Sequence, residues 1–341
     1  MDQITAGVTR AAVWTRDGID VRDVAIPNLE PGELLVQITL ATVCGSDLHT
    51  VSGRRSAPCP SILGHEAVGR VVAVGGGAAP ASVGDRIVWS VTVPCGRCAR
   101  CAIGFTAKCT DVRKVGHERA EGRWVLSGSY AEHIVLPFGT AIAHVPDSMP
   151  DAVAAPAACA TATVMATLEA AGSLEDRRVL IVGAGMLGVT AAAAARERGA
   201  SVRVIDRDTG RQDQARAFGA VDDDGDHVDV AIDFSGASSA VQAALSRLDT
   251  GGRLVLTGSV APGPPIAIDP ETVVRQWLTI TGVHNYEPRH LAQAVPFLDA
   301  TRESYPWAKL VDAPVPLDQL GRVLKPTPPG ILRSSVAPQN A

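Results

Sequence analysis

The sequence predicts an α/β protein with two parts, a mainly-β domain followed by a doubly wound parallel sheet. Residues 9–150 carry short β-branched runs separated by glycine and proline, a pattern typical of an all-β unit with many turns. From about residue 161 to 285, apolar strand-like runs alternate with alanine-rich helical segments, which favours a parallel sheet with helices between its strands. The length of 341 residues is sufficient for two such domains.

Each β-branched run predicts one strand. In the first part, examples of such runs are 34–40, 67–74, 86–91 and 131–135. In the second part they are 179–182, 201–205, 228–232, 253–257 and 278–281. The chain after residue 289 predicts a helix and then a proline-rich tail. We therefore expect domains at 1–160 and 161–288, and a C-terminal segment, 289–341, that returns to the first domain.

Composition and charge exclude several classes of protein. The net charge of −5 is spread along the chain and provides no basic surface for nucleic acid or an anionic membrane. Residues 1–14 lack a basic region followed by an apolar run, so we expect no signal peptide. The most apolar stretches, 179–185 and 189–195, are too short or too interrupted by glycine to span a bilayer. We therefore expect a cytoplasmic protein, in which clustered cysteines are more often metal ligands than disulfides.

A glycine-rich turn follows the first predicted strand of the parallel sheet. Gly183, Gly185 and Gly188 form a GxGxxG pattern that encloses Met186 and Leu187, and a helix is predicted over 189–198. In a Rossmann unit such glycines permit the tight turn, the approach of the backbone to a pyrophosphate and close helix packing. The helix N-terminus then offers free N–H groups to the phosphates. The pattern predicts a dinucleotide site, and a glycine-rich turn without a ligand is the alternative.

An acidic residue, Asp206, ends the second strand of the predicted sheet. A carboxylate at that place can accept hydrogen bonds from the adenosine ribose and would repel a 2′-phosphate, which favours NAD over NADP. Arg207 and Arg211 follow directly, and arginines in this position can accommodate a phosphate. The sequence therefore predicts NAD and leaves NADP open.

Four cysteines lie close together in the first domain, in a C-x2-C-x2-C-x7-C pattern formed by Cys95, Cys98, Cys101 and Cys109. Thiolates at this spacing can converge on one tetrahedral zinc that has no open position and therefore a structural role. An iron–sulfur cluster or disulfides are the alternatives. The loop alone does not indicate a reaction.

Three further residues suit a second metal site. Cys44 begins the segment CGSDLH, His65 lies in GHE, and Cys159 lies just before the predicted parallel sheet. Two thiolates and one imidazole would leave a fourth zinc position free for water or substrate. Each residue alone is more often buried structure than ligand, but their occurrence together with a nucleotide site favours catalysis.

The ordered motifs resemble those of the zinc-containing medium-chain alcohol dehydrogenases over nearly the whole chain. The matching segments are CGSDLH (44–49), GHE (64–66), GDRIVW (84–89), the cysteine loop, GSYAEH (128–133), Cys159 and GAGMLG (183–188). The resemblance implies a GroES-like fold for the first domain, a dimer or tetramer paired through strand 278–281, and two zinc ions per subunit. It also implies a small-molecule alcohol as the partner, and a cleft between the domains as the place of reaction.

The resemblance implies a role for each matching residue. Cys44, His65 and Cys159 would hold the catalytic zinc, and Glu66 would lie behind the metal and approach it during exchange. Asp47 would orient the His65 ring. Ser46 would contact the alcohol, and His49 would carry its proton outward through the cofactor ribose. Zinc would act as a Lewis acid that lowers the pKa of the alcohol, whose carbon delivers hydride to the nicotinamide.

Residues near the predicted metal site bear on the substrate. The family correspondence places Trp89, Val91 and the loop 53–59 near it, and that loop contains Arg54 and Arg55. Two arginines pointing inward would form a fork suited to a phosphonate, phosphate or carboxylate, whereas arginines facing solvent would be bystanders. The segments 46–55 and 282–286 resemble alcohol dehydrogenases associated with phosphonate metabolism. Lys114, His117, His284 and Asn285 are further candidates.

Three rival functions remain at this stage. The substrate could be an uncharged secondary alcohol, polyol or terpenoid alcohol. A catalytically silent nucleotide-binding protein would have lost a metal ligand, but Cys44, His65, Glu66 and Cys159 are all present. A zinc-free quinone reductase shares the architecture but lacks the cysteine loop that this chain contains.

Overall fold

The computed structural model describes residues 7–339. Residues 1–6 lie outside the described part. They belong to the segment 1–14, for which the sequence predicts no signal peptide. In chain order the strands are β1 (Val8–Thr15), β2 (Gly18–Ala25), β3 (Leu34–Thr42), β4 (Ser61–Ile62), β5 (Glu66–Val74), β6 (Arg86–Trp89), β7 (Thr92–Val93), β8 (Arg113–Lys114), β9 (His133–Leu136), β10 (Ile142–His144), β11 (Arg178–Val182), β12 (Ser201–Ile205), β13 (Val228–Asp233), β14 (Leu248–Leu256), β15 (Thr279–Gly282) and β16 (Ser335–Val336). The α-helices are α1 (Gly45–Val51), α2 (Ala99–Ala102), α3 (Asp151–Ala154), α4 (Ala160–Ala171), α5 (Met186–Arg196), α6 (Thr209–Arg216), α7 (Ser238–Ser246), α8 (Pro270–Arg275), α9 (Pro288–Thr301) and α10 (Leu320–Val323).

The chain divides into two compact units. The first contains the described residues up to Cys159, together with Glu287–Arg302 and the chain from Trp307 onward. The second contains Ala160–Tyr286 and Glu303–Pro306. The C-terminal part of the chain thus supplies two helices, α9 and α10, and the strand β16 to the unit that the N-terminal part begins.

The first unit is mainly β. Its largest sheet has the order β10-β6-β5-β3-β16, and β9 also pairs with β3. The apolar faces of these strands enclose a core that includes Leu34, Ile38, Ile87 and Ile134, each with almost no exposed surface. Such complete burial of branched side chains is the main stabilising contribution to a unit of this kind.

The register of this sheet determines which side chains meet at one of its edges. Thr42 of β3 lies opposite Glu66 of β5 on one side and opposite Ser335 of β16 on the other. Both pairings are antiparallel, so the residues just beyond these positions converge: Cys44 after β3, His65 before β5 and Arg333 before β16. The backbone pairing alone therefore brings three segments together that are distant in the chain.

The second unit is a parallel sheet with the order β12-β11-β13-β14-β15. Helices α5, α6 and α7 lie between successive strands in the chain. The strands β11 and β13 are buried on both faces, as apolar runs of β-branched residues require. The predicted fold class, a doubly wound parallel sheet plus a mainly-β domain, is confirmed.

The helix after the glycine-rich turn begins earlier than predicted. Helix α5 starts at Met186 rather than 189, because Gly185 is extended and forms the N-cap. Gly188 therefore lies in the first turn of the helix, where a Cβ atom would be 1.8 Å from the carbonyl oxygen of Gly183. A Cβ atom at Gly185 would meet no atom within 4 Å, so that side of the turn is open. Gly188 thus meets the packing requirement of the motif, and Gly185 leaves the space that a pyrophosphate would need.

In the described part of the chain, no single helix has the length and apolar character needed to cross a membrane, although the adjacent segments Asp151–Ala158 and Ala160–Ala171 reach that threshold as a bent pair by length and composition alone.

Candidate metal centre and active site

Four metal-binding side chains meet at the edge of the main β sheet. Cys44 is the N-cap of α1, His65 and Glu66 lie at the start of β5, and Cys159 follows the short helical turn Ala155–Ala158. One donor atom from each residue lies within 4.8 Å of every other. Cys44, His65 and Glu66 are buried. The three predicted ligands and the predicted carboxylate thus share one location in the first unit.

The two cysteines of this cluster form an asymmetric pair. A hydrogen bond from Cys159, followed by the charges of Arg333 and His65, holds the pKa of Cys44 well below its ordinary value despite burial. The neighbouring Cys44 and the loss of solvation raise the pKa of Cys159 well above its ordinary value. The opposite shifts indicate that Cys44 loses its proton more readily than Cys159, and a metal that binds both sulfurs would release the proton that Cys159 holds.

Helix α1 places Asp47 beside the ring of His65. Asp47, in the first turn, accepts a hydrogen bond from the backbone N–H of Cys44 at 3.0 Å, which fixes the carboxylate. Its other oxygen lies 3.5 Å from Nδ1 of His65. The Oγ atom of Ser46 lies 3.3 Å from Nε2 of the same ring. With Asp47 beside Nδ1, Nε2 is the nitrogen available to a metal.

Glu66 is held by an arginine that the sequence did not indicate. Nε of Arg333 lies 2.7 Å from one Glu66 oxygen and Nη2 lies 3.0 Å from the other, a bidentate pair. Thr42 donates a further hydrogen bond to Glu66 at 2.8 Å. Burial raises the pKa of Glu66, and the charge of Arg333 opposes that shift. Arg333 lies outside every motif and 267 positions from Glu66, so only the pairing of β3 with β16 locates it.

The four cysteines of the loop form a second cluster. Their sulfur atoms all lie within 4.8 Å of one another, with 3.5 Å between Cys98 and Cys101 and 3.9 Å between Cys98 and Cys109. Backbone N–H groups of Cys95 and Asp111 each lie 3.3 Å from the sulfur of Cys109. Hydrogen bonds from the backbone of Thr110 and Cys101 lower the pKa of Cys98 to about 5. A cluster whose N–H donors stabilise thiolates suits a soft, tetrahedral cation.

Both clusters have the donor set that zinc prefers. The loop offers four sulfurs and no other donor, whereas the cluster around His65 offers two sulfurs, one imidazole nitrogen and a carboxylate held by Arg333. None of the seven cysteines forms a disulfide. The residues therefore fit two zinc sites, of which only the one around His65 has a composition suited to an open position. Zinc bound there would supply a Lewis acid that lowers the pKa of an alcohol.

His117 lies beside the His65 cluster, with the basic side chains of Arg55 and Lys114 close by. The His117 ring centroid is 5.1 Å from that of His65. Nδ1 of His117 lies 2.7 Å from the carbonyl oxygen of Val115, so Nδ1 donates and Nε2 accepts from Arg55 at 2.8 Å. Burial, then the charges of His65 and Arg55, lower the pKa of His117 to about 4, so its ring is neutral at pH 7. Burial and the charge of Arg55 also lower the pKa of Lys114.

The two arginines predicted to form a fork have different surroundings. Arg54 is exposed, and its Nε lies 3.4 Å from the hydroxyl of Ser52. Arg55 is half-buried against His117. Of the two, only Arg55 is therefore held close to the predicted metal site, and Lys114 is a second cation near it.

Other predicted substrate residues are distributed over both units. His49 is half-buried in α1, and its carbonyl accepts the backbone N–H of Arg55. Trp89 has 1% of its surface exposed and packs in the core of the first unit, and Val91 is buried nearby in the chain. His284 and Asn285 follow β15 in the second unit, with His284 exposed. The burial of Trp89 in this core therefore does not support the prediction that it contacts the substrate.

The predicted nucleotide residues meet at the carboxyl ends of β11 and β12. One oxygen of Asp206 accepts the backbone N–H of Ala184, inside the glycine-rich turn, at 2.7 Å. The other accepts the N–H of Asp208 at 2.9 Å. Arg207 is exposed, and Arg211 lies 3.9 Å from Asp208. This arrangement places a fixed carboxylate beside the turn, as a ribose-binding site at such a sheet edge requires.

Two family models match the chain. Residues 30–147 match the alcohol dehydrogenase GroES-like domain, and residues 187–300 match the zinc-binding dehydrogenase domain. The first range contains the cysteine loop together with Cys44, His65 and Glu66, and the second contains Asp206.

Three individual dehydrogenases are similar to this chain in sequence or in structure. An L-threonine 3-dehydrogenase of Edwardsiella ictaluri is 32% identical over 295 residues, which is 80% of this chain and 82% of that protein. The solved alcohol dehydrogenase of Thermotoga maritima superposes with a TM-score of 0.89 at 27% identity and covers 98% of this chain and 100% of its own. The alcohol dehydrogenase TADH of Thermus sp. ATN1 has a TM-score of 0.83 at 26% identity, with 96% and 99% covered.

Proposed function

Because this chain belongs to the zinc-containing medium-chain alcohol dehydrogenases, an NAD(P)-dependent family, we propose that it oxidises a small alcohol bearing an anionic group, or reduces the corresponding carbonyl compound. The hydroxyalkyl phosphonates are the substrate class we favour. A single observation carries this proposal: Arg55 lies beside the His65 cluster through His117, Lys114 lies close to Arg55, and among the described residues Arg55 forms no ion pair with a carboxylate. The charge of Glu118 offsets part of that of Lys114, but a half-buried guanidinium without a counter-ion favours an anionic ligand.

His117 gives Arg55 its direction. Since Nδ1 of His117 donates to Val115, its Nε2 can only accept, and it engages one N–H of the guanidinium. The remaining N–H groups of Arg55 stay available for the two or three oxygens of a carboxylate or phosphonate. Lys114 adds a second positive charge, which suits a dianion better than a monoanion. The anionic group would thus be anchored while the hydroxyl end of the substrate reaches the metal site.

The other residues have the following proposed roles. Cys44, His65 and Cys159 hold the catalytic zinc, and the cysteines of the loop hold a structural zinc. Ser46 contacts the substrate hydroxyl, and His49 carries the proton of that hydroxyl outward through the cofactor ribose. Asp206 binds the adenosine ribose, and its charge favours NAD over NADP. A kcat/KM for NADP above that for NAD would contradict this preference. Free thiols suit the reducing cytosol, where cell fractionation should find the protein.

The test compares three alcohols on the zinc-loaded enzyme: 2-hydroxyethylphosphonate, a hydroxyalkyl carboxylate of similar length and 1-propanol. We expect kcat/KM to fall in that order. Arg55→Ala should lower kcat/KM for the phosphonate by roughly 10- to 100-fold, the value of a charge-assisted hydrogen bond of about 1.5–3 kcal/mol, and leave 1-propanol unaffected.

Arg54→Ala is the matched control. Arg54 neighbours Arg55 in the chain and carries the same charge, but its side chain is exposed. It should leave all three substrates close to their original kcat/KM, because solvent and salt screen an exposed charge. Equal losses in both variants would indicate a diffuse charge effect instead of a binding site. Turnover of 1-propanol above that of the phosphonate would redirect the search to neutral secondary alcohols, polyols and terpenoid alcohols.

We also propose that the protein assembles as a homodimer or homotetramer through β15. This strand lies at the edge of its sheet, and the preceding segment exposes Val274 at 73% and Trp277 at 84%. An unpaired edge flanked by exposed apolar side chains is a common site of association. Sedimentation equilibrium that gives the mass of one chain at micromolar concentration would contradict this proposal.

A further inference from the structure

The segment GSYAEH matches the family but has no role in the chemistry described so far. Its tyrosine, Tyr130, has no exposed surface. Its hydroxyl lies 3.0 Å from Oδ2 of Asp47 and 3.3 Å from the carbonyl oxygen of Thr42. Both neighbours accept and neither donates, so the single phenolic proton goes to one of them, and the charged and nearer carboxylate is the stronger acceptor.

The backbone around Tyr130 fixes this hydroxyl independently of Asp47. Its N–H donates to Leu63 at 3.0 Å, and its carbonyl accepts from Ala12 at 2.8 Å. The ring lies against Gly64, where a Cβ atom would be 2.9 Å from Cδ1 of the ring. Gly64 directly precedes His65, so the ring and the metal-binding imidazole are held by neighbouring residues of one segment.

Asp47 thereby receives three contacts that together determine its orientation. The N–H of Cys44 and the hydroxyl of Tyr130 both reach Oδ2, each at 3.0 Å, which leaves Oδ1 directed at Nδ1 of His65. The carboxylate has 1% of its surface exposed, so water cannot replace a missing donor without entering the core. Removal of the phenolic hydroxyl would leave Oδ2 with one donor and allow the carboxylate to rotate.

We propose that Tyr130 is a positioning residue for the zinc site, acting through Asp47 to fix the imidazole of His65 at the metal. The inference depends on the proposed ligand set of Cys44, His65 and Cys159. Outer partners of metal-binding histidines typically change metal affinity by about 10- to 100-fold when they are replaced. Tyr130 is one step further out than Asp47, so its effect should lie near the lower limit.

The decisive variant is Tyr130→Phe, which removes one oxygen and keeps the ring against Gly64. Zinc affinity is measured by chelator competition, and the cobalt-substituted protein provides absorption bands that report ligand geometry without turnover. We expect the dissociation constant of the His65 site to increase roughly tenfold and the cobalt bands of that site to shift. The zinc of the cysteine loop should be unaffected, and it serves as an internal check on folding.

Thr140→Val is the matched control. It removes another buried hydroxyl of the same unit, whose hydrogen bond goes to the carbonyl of Pro137 at 2.7 Å. If Tyr130 only stabilises the fold, both variants should lower the unfolding midpoint and leave zinc affinity unchanged. That result would overturn the inference.

A double-mutant cycle tests the path through Asp47. In an Asp47→Asn background, Tyr130→Phe should have little further effect on the zinc dissociation constant, because the carboxylate it orients is no longer present. Additive effects would show that Tyr130 acts by another route and would overturn the proposal. Failure of the parent protein to bind zinc at the His65 site would instead refute the ligand set, and it is distinguishable because all variants would then look alike.

Discussion

Replacement of Cys159 by alanine is expected to abolish zinc binding at the His65 cluster and to lower turnover by about 10³-fold or more. Cys159 supplies one of the two sulfurs of that cluster. It stands between Ala158 and Ala160, so alanine suits the local backbone. A Lewis acid contributes several kcal/mol to the acidity of an alcohol, and about 1.4 kcal/mol corresponds to a factor of ten in rate.

Metal analysis by atomic emission should then find one zinc per chain, because only the second of the two clusters is intact. Cys59→Ala is the matched control, since Cys59 is half-buried and belongs to neither cluster. It should keep both metal ions and full activity. A Cys159→Ala protein with unchanged metal content and turnover would refute the assignment of this cluster as the catalytic zinc site.

Replacement of Arg333 by leucine is expected to destabilise the β unit by about 3–5 kcal/mol. Glu66 has no exposed surface, and Arg333 is its bidentate partner. Loss of the guanidinium would leave a buried carboxylate with only the hydroxyl of Thr42 as a donor among the contacts described above. The free energy of unfolding, measured by urea titration at pH 7, checks the magnitude.

The loss should depend on pH. Burial raises the pKa of Glu66 even beside Arg333, and removal of the positive charge would raise it further. A group whose pKa is higher in the folded state stabilises the fold below its unfolded value, near 4.5, and this contribution is lost as the pH rises through the folded value. Arg333→Leu should therefore be closest to the parent protein in acid and furthest from it at neutral pH.

Two further variants make this result specific. Arg119→Leu removes an arginine from an exposed pair with Glu121 and should cost less than about 1 kcal/mol. Glu66→Gln combined with Arg333→Leu removes both buried charges and should recover part of the stability. Equal losses for Arg119→Leu and Arg333→Leu would show that burial of the Glu66 pair has no special weight.

Much of the fold was predictable because the relevant signals are local. Runs of β-branched residues located β3, β5, β6 and the five strands of the parallel sheet, and the GxGxxG turn located the start of that sheet. The strands β1, β2, β10 and β16 were not located individually, and further differences lie at element boundaries. Helix α5 begins at Met186 instead of 189, and strand β6 ends at Trp89 instead of 91. Such limits depend on hydrogen bonds between distant segments, which periodicity does not record.

The sequence by itself determined the class of protein: the family, the two-part fold, the need for zinc and NAD(P), and the residue types available for a metal. These features can be recognised in short motifs because the residues that bind the ligand, in a loop of four cysteines or a glycine-rich turn, lie close together in the chain. The side chains around the metal site depend on the fold instead. Arg333, Tyr130 and Lys114 reach Glu66, Asp47 and the surroundings of Arg55 from segments far apart in the chain.

Only the tertiary structure decided these contacts, because strand register determines which residues that are far apart in the chain become neighbours in the sheet. The pairing of Thr42 with Glu66 and with Ser335 brings Arg333 to the His65 cluster, and the antiparallel pairing of β7 with β8 across the cysteine loop positions Lys114. A shift of one residue in either pairing would turn those side chains to the opposite face of the sheet.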